Sequence, residues 1–145
     1  MRLYLDSNVF ISLVREEING SLNILFKDTE LFLSICSKKN FSLLLSYWFF
    51  KEIEKSVFLQ KEEVVELLKS NYAVLIQEIK RGKGYYLEMK NIARETGIRF
   101  GDALHIAIAL DSKADLIVSW NKKDFLKARS LINCLNPKEF IEEFT

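Results

Sequence analysis

Apolar positions along this chain switch between an alternating rhythm and a helical one, and the switches outline a series of elements. Arg2 to Leu5 is a short apolar run that predicts a strand. Asp6-Ser7-Asn8 then offers cap chemistry for a helix carrying Val9, Phe10, Leu13 and Val14. Leu22, Leu25, Phe26, Phe32, Leu33 and Cys36 recur at helical spacing and predict a second helix over 21–37. The continuous apolar run over 41–45 follows Lys38-Lys39-Asn40 and fits a strand buried on both faces of a parallel sheet. Ser46 is placed to cap a helix running through Lys55, and 61–69 forms another.

Residues 73–76 fit a short strand or a continuation of that helix. A helix over 84–96 is expected to stop at Gly97, which suits a left-handed C′ position. Phe100-Gly101 leads into a very apolar helix over 102–112, followed by a strand over 116–119 and a short helix over 122–129. A last strand over 132–134 and a helix over 138–144, opened by Pro137, complete the series. Strands alternating with helices imply a parallel sheet with right-handed crossovers, and sites in such sheets form beyond the carboxyl ends of the strands.

Length and composition then narrow the reading. The 145 residues, 49% of them apolar, suit one domain spanning 1–145 whose core needs no staple. Cys36 and Cys134 lie far apart and form no metal-binding or redox pair, so a reducing cytoplasm is the expected setting. No apolar run approaches the roughly 20 residues of a membrane span, and Asp6 interrupts the N-terminus too early for a signal peptide. A net charge of +1 leaves any phosphate contact to local basic clusters.

The acids stand where a site is expected. Asp6 follows the first strand and Asp102 opens the apolar helix, each of them alone equally suited to a helix cap. Glu52 lies within the helix after Ser46, and its neighbour Glu54, just over half a turn away by helical geometry, is expected to be solvated. Asn121 follows the fourth strand, with Asp124 three residues on in a position that suits a cap. Carboxylates gathered at converging strand ends repel one another unless a cation neutralises them. Mg²⁺ answers that need with hard oxygen ligands, retained waters and affinity for substrate phosphate.

Several segments resemble the PIN-domain ribonucleases, in particular the single-domain VapC-type toxins of toxin–antitoxin pairs. They are Tyr4-Leu5-Asp6-Ser7-Asn8-Val9-Phe10-Ile11, Leu45-Ser46 with Glu52-Ile53-Glu54, Gly101-Asp102-Ala103-Leu104-His105-Ile106-Ala107, Ala114-Asp115-Leu116-Ile117-Val118-Ser119-Trp120-Asn121-Lys122-Lys123-Asp124-Phe125, and Asn136-Pro137-Lys138-Glu139-Phe140. Each is short, but their order and spacing span nearly the whole chain. The resemblance implies a three-layer α/β/α domain around a parallel sheet of four to five strands, and a Mg²⁺- or Mn²⁺-dependent endoribonuclease. By it Asp6, Glu52 and Asp102 hold the metal and its water, and Asn121 stands where many members have a fourth acid. An amide there adds no negative charge, so one firmly held ion is expected. Asn8 is expected to brace Asp6, Ser119 to support the site through its hydroxyl, Asp124 to supplement it or cap, and His105 to pack in the core.

The same resemblance implies an RNA substrate (transfer or ribosomal RNA for many of the toxins), an antitoxin partner and a homodimer. Lys80, Arg81 and Lys83, followed by Tyr85-Tyr86, form the densest candidate RNA contact. Tyr47-Trp48-Phe49-Phe50 is more aromatic than one helix face buries, which suits a core with a portion left to line a groove for an antitoxin helix or a second copy. The alternative is a catalytically silent PIN-like module that binds protein or RNA. A response-regulator domain would need a pair of acids after the first strand, and a haloacid-dehalogenase-like phosphatase an Asp-x-Asp there. Asp6-Ser7-Asn8 supplies neither.

Overall fold

A computed structural model describes residues 1–16 and 24–145. Its strands are β1 (Arg2–Leu5), β2 (Ser42–Ser46), β3 (Leu75–Ile79), β4 (Leu116–Val118) and β5 (Cys134–Leu135). They pair in parallel in the order β3-β2-β1-β4-β5, giving a five-stranded sheet within the expected four to five. The helices are α1 (Ser7–Arg15), α2 (Leu25–Lys39), α3 (Tyr47–Val57), α4 (Lys61–Tyr72), α5 (Tyr85–Thr96), α6 (Phe100–Asp111), α7 (Lys122–Phe125) and α8 (Pro137–Phe144). The 21–23 portion of the helix expected over 21–37, with Leu22, lies outside the described residues.

Strand side chains alternate between faces, so each central strand feeds two cores. Leu3, Leu5, Leu43, Leu45, Leu116 and Val118 pack into one core, where α1, α2, α3, α4 and α8 contribute Phe10, Phe32, Phe49, Val64 and Phe140. Tyr4, Leu44 and Ile117 point into the other, closed by Met89 and Ile92 of α5 and the apolar α6. Three layers result. The aromatic run of α3 is divided between the two cores: Phe49 and Phe50 are buried in the first, while Tyr47 and Trp48 pack against the second. Both cysteines are buried free thiols pushed up to about 12 by desolvation, so neither is a ready nucleophile.

Local chemistry fixes the helix ends next to the strands. Ser46 Oγ accepts from Phe49 N–H at 3.1 Å, capping α3 where β2 ends. Asn136 and Glu139 form a reciprocal capping box around Pro137 at the start of α8. Gly97 ends α5 at φ 75°, the left-handed position expected of it. Ala73 takes the same conformation and ends α4, which settles the choice at 73–76: the chain turns there and enters β3.

Candidate metal centre

The sheet order reverses beside β1, whose neighbours are β2 and β4. A crevice forms at such a reversal beyond the carboxyl ends of the strands. Asp6 N–H donates to the Val118 carbonyl at 3.0 Å, holding the residue after β1 against the end of β4. Asp6 is 4% exposed, and it occupies the N-cap position of α1 without its carboxylate making a capping hydrogen bond. The side chain is therefore available to the crevice. Ser119 Oγ donates to Asp6 Oδ2 at 2.7 Å. Asn8 reaches the acid through intermediaries: its Nδ2 donates to Ser119 Oγ at 3.1 Å and its Oδ1 accepts from Trp120 N–H at 3.0 Å. The contact expected between Asn8 and Asp6 is thus relayed by the fully buried Ser119, because α1 turns Asn8 toward β4.

Glu52 comes from α3, on the other side of β1. Its Oε1 accepts from Ser7 Oγ at 3.0 Å and lies 2.5 Å from His105 Nε2. Glu54 points elsewhere, exposed and accepting from Gln60 Nε2 at 3.3 Å. His105 is buried in the core, but its ring also belongs to the site. Nε2 stands 3.4 Å from Asp6 Oδ1, and Nδ1 is 2.5 Å from Tyr4 Oη, which in turn lies 2.8 Å from Ser46 Oγ. A chain of hydrogen bonds therefore runs from the α3 cap through Tyr4 and His105 to Glu52. Sequence reasoning missed this role, although one signal was available: a lone polar side chain one turn after Asp102 in an otherwise apolar helix.

Burial dominates the electrostatics, and charge crowding adds to it. Burial pushes the Asp6 carboxyl up, against the pull of His105 and the Ser119 hydroxyl. Burial and then the Asp6 charge push half-buried Asp102 up to about 6. Burial alone would lower His105, but the Glu52 hydrogen bond and the charges of Asp6, Glu52 and Asp102 together raise it. One imidazole thus faces three carboxyl groups. Ligand atoms of Asp6, Glu52 and His105 all lie within 4.8 Å of one another. Oxygen donors that repel one another in a buried crevice, with one imidazole beside them, fit a divalent cation of the Mg²⁺ or Mn²⁺ type.

The other candidates are arranged around this cluster. Asn121 Nδ2 donates to Asp124 Oδ2 at 2.6 Å, and its N–H donates to Ser119 Oγ at 2.9 Å. Asp124 is close enough for its charge to raise Asp102. The exposed Lys80, Arg81 and Lys83 line three different grooves, of which those of Lys80 and Arg81 share Tyr47 and Lys51. Lys80 shares its groove with Glu54, Glu62 and Glu78, and Lys83 with Glu88 and Asp111. Arg81 lies 5.3 Å from the centre of the Tyr47 ring in a groove that reaches Gly101. Tyr85 is buried, stacked on Tyr47 and bonded to Asp111, whereas Tyr86 is exposed.

A parallel α/β fold with carboxylates at its switch point defines the class of protein. The PIN domain family matches residues 3–130, and the chain belongs to that family. VapBC2 of Rickettsia felis, solved bound to a DNA fragment from its promoter, superposes with a TM-score of 0.61 at 20% identity, over 94% of this chain and 98% of that one. A toxin–antitoxin complex from Klebsiella pneumoniae superposes with a TM-score of 0.62 at 15% identity, over 93% and 97%. At these identities the likeness is one of fold. No curated protein matches the chain in sequence. No helix among the described residues is long and apolar enough to cross a membrane.

Proposed function

We propose that this PIN-domain protein is a Mg²⁺- or Mn²⁺-dependent endoribonuclease and the toxin of a toxin–antitoxin pair. The observation that carries the reading is the crowding of Asp6, Glu52 and His105, with Asp102 in electrostatic reach, at the switch point of the sheet. Asp6 and Glu52 would hold the ion, with Asp102 beside them. Mg²⁺ or Mn²⁺, when bound, supplies Lewis-acid polarisation of the phosphodiester and makes an attacking water easier to deprotonate.

The chain's own groups supply orientation and proton transfer. Ser119 and, through it, Asn8 hold the Asp6 carboxylate. Ser7 and His105 fix Glu52. Asp102, less deeply buried than Asp6, would take the proton of the attacking water. Hydrolysis adds the water oxygen to phosphorus and releases one ester oxygen as a hydroxyl. Asn121, committed to Asp124, brings no further negative charge to the ion, which favours a single tight site.

The fold shared with VapBC2 and with the Klebsiella toxin–antitoxin complex supports an antitoxin as protein partner. The paired variants Glu52→Gln and Glu54→Gln test the assignment on an RNA pool with Mn²⁺. Loss of cuts in the first and retention in the second supports it, and equal behaviour of the two contradicts it.

A further inference from the structure

Two adjoining grooves flank the junction of α5 and α6, and Lys90 and Phe100 line both. The first, about 310 Å³, has Lys51, Arg81 and Lys90 around an apolar floor that includes Trp48 and Met89. The second, about 690 Å³, adds Arg94 and Arg99. Neither is lined by a carboxylate, whereas the grooves of Lys80 and Lys83 each contain acids. Phe100, 62% exposed, stands where the two grooves meet and Tyr86, 68% exposed, lies on the first. The track borders the acid cluster directly. Gly101 lines it immediately before Asp102, and the Trp48 ring centre lies 6.5 Å from that of His105. Trp48 Nε1 is buried beside Gly101 with no hydrogen-bond partner among the described residues.

We infer that this acid-free track is the path of a single RNA strand, with an unpaired base stacked on Phe100 and Tyr86 and flanking phosphates held by Lys90, Arg94 and Arg99. Unbroken positive charge beside exposed aromatic faces is what a single-stranded nucleic acid requires, since any base offers a π-face and its phosphates need cations. A second copy paired about a two-fold axis through this face would bring its own five cations against the same five, so the track favours a polyanion over such a pairing. Arg81 remains an RNA contact, while Lys80 and Lys83 lie off the path. The inference rests on the ribonuclease reading, because it places the strand by its distance from the acid cluster.

The test measures binding alone, on wild-type protein in EDTA, by anisotropy of short single-stranded RNA oligonucleotides and abasic ones of equal charge. Phe100→Ala should weaken base-bearing RNA about tenfold and leave abasic RNA unchanged, as the stacking of one base requires. Arg94→Gln with Arg99→Gln should weaken both and reduce the salt slope by about 1.4, at roughly 0.7 for each phosphate contact. These side chains are exposed, and unchanged melting temperatures verify that the variants fold. Phe100→Ala binding both RNAs as wild type does would overturn the track. So would Phe100→Ala converting a dimer to monomer in sedimentation with RNA affinity intact, which would assign the face to a second copy. Stacking on Phe100 without metal-dependent cleavage by wild type would defeat the ribonuclease reading only.

Discussion

Asp102→Asn separates what the site costs the fold from what it does for catalysis. Burial and the Asp6 charge raise the Asp102 carboxyl from 3.8 to about 6, so the native state binds this proton more tightly than the unfolded chain does. Stability from this group is therefore present below about pH 4 and is lost as pH rises toward 6. Unscreened, the loss at neutral pH would be about 3 kcal/mol at ~1.36 kcal/mol per pKa unit. Asp102 is only half-buried, and solvent screening reduces this to about 1–2 kcal/mol. Against that, a carboxylate in the first turn of α6 gains about 0.3–1 kcal/mol from the helix N-terminus. The burial penalty wins. In EDTA near neutral pH, Asp102→Asn should be more stable than wild type by about 1 kcal/mol, raising Tm by roughly 3–4 °C. The two proteins should converge near pH 4. Excess Mn²⁺ should reverse the order, stabilising wild type by about 2.7 kcal/mol at a hundredfold excess over Kd and the variant far less. Thermal melts across pH, with and without metal, measure all of this. A variant that is less stable than wild type in EDTA at neutral pH would refute the reasoning.

Other outcomes follow from the same structure. Metal affinity measured by calorimetry should rise with pH through about 6, because Asp102 must lose its proton to meet a cation. Tyr4→Phe removes the hydroxyl between Ser46 and His105 Nδ1 and should cost about 1–3 kcal/mol in urea unfolding, since both partners are buried. Ser46→Ala loses that contact and the α3 cap together and should cost about 1–2 kcal/mol. Phe140→Ala should cost about 3–5 kcal/mol, as its fully buried ring packs edge-on against Phe32 at 4.9 Å.

The sheet and its layers were legible because strands buried on both faces read as unbroken apolar runs. Leu43, Leu44 and Leu45 are the clearest case, each fully buried in one core or the other. The edges were less clear. β3 carries Gln77 and Glu78 at solvent-facing positions, so its apolar signal ends at Ile76 although pairing with β2 continues to Ile79. β5 is only two residues long and lies at Cys134–Leu135, at the end of the expected 132–134 run and one residue past it. α6 begins at Phe100, before the expected 102, because Arg99 is still extended and a single glycine does not interrupt the helix.

The site was readable where strand ends dictated it and unreadable where packing did. Asp6 and Ser119 meet because β1 and β4 are neighbours, a consequence of topology. His105 meets Glu52 across 53 residues of sequence through the contact of α6 with the start of α3, which no local spacing encodes. Density along the chain says nothing of which groove each cation of the 80–83 run lines. Its three cations enter three different grooves.

Cleavage of a total-RNA pool by purified protein with Mg²⁺, Mn²⁺ or EDTA, beside Asp102→Asn prepared identically, reads the proposed activity itself. Discrete cuts should depend on metal and vanish in the variant, whose melting in EDTA verifies that it is folded. Cleavage that survives EDTA or Asp102→Asn, or a wild-type protein that binds metal yet leaves every RNA intact, would contradict the ribonuclease reading.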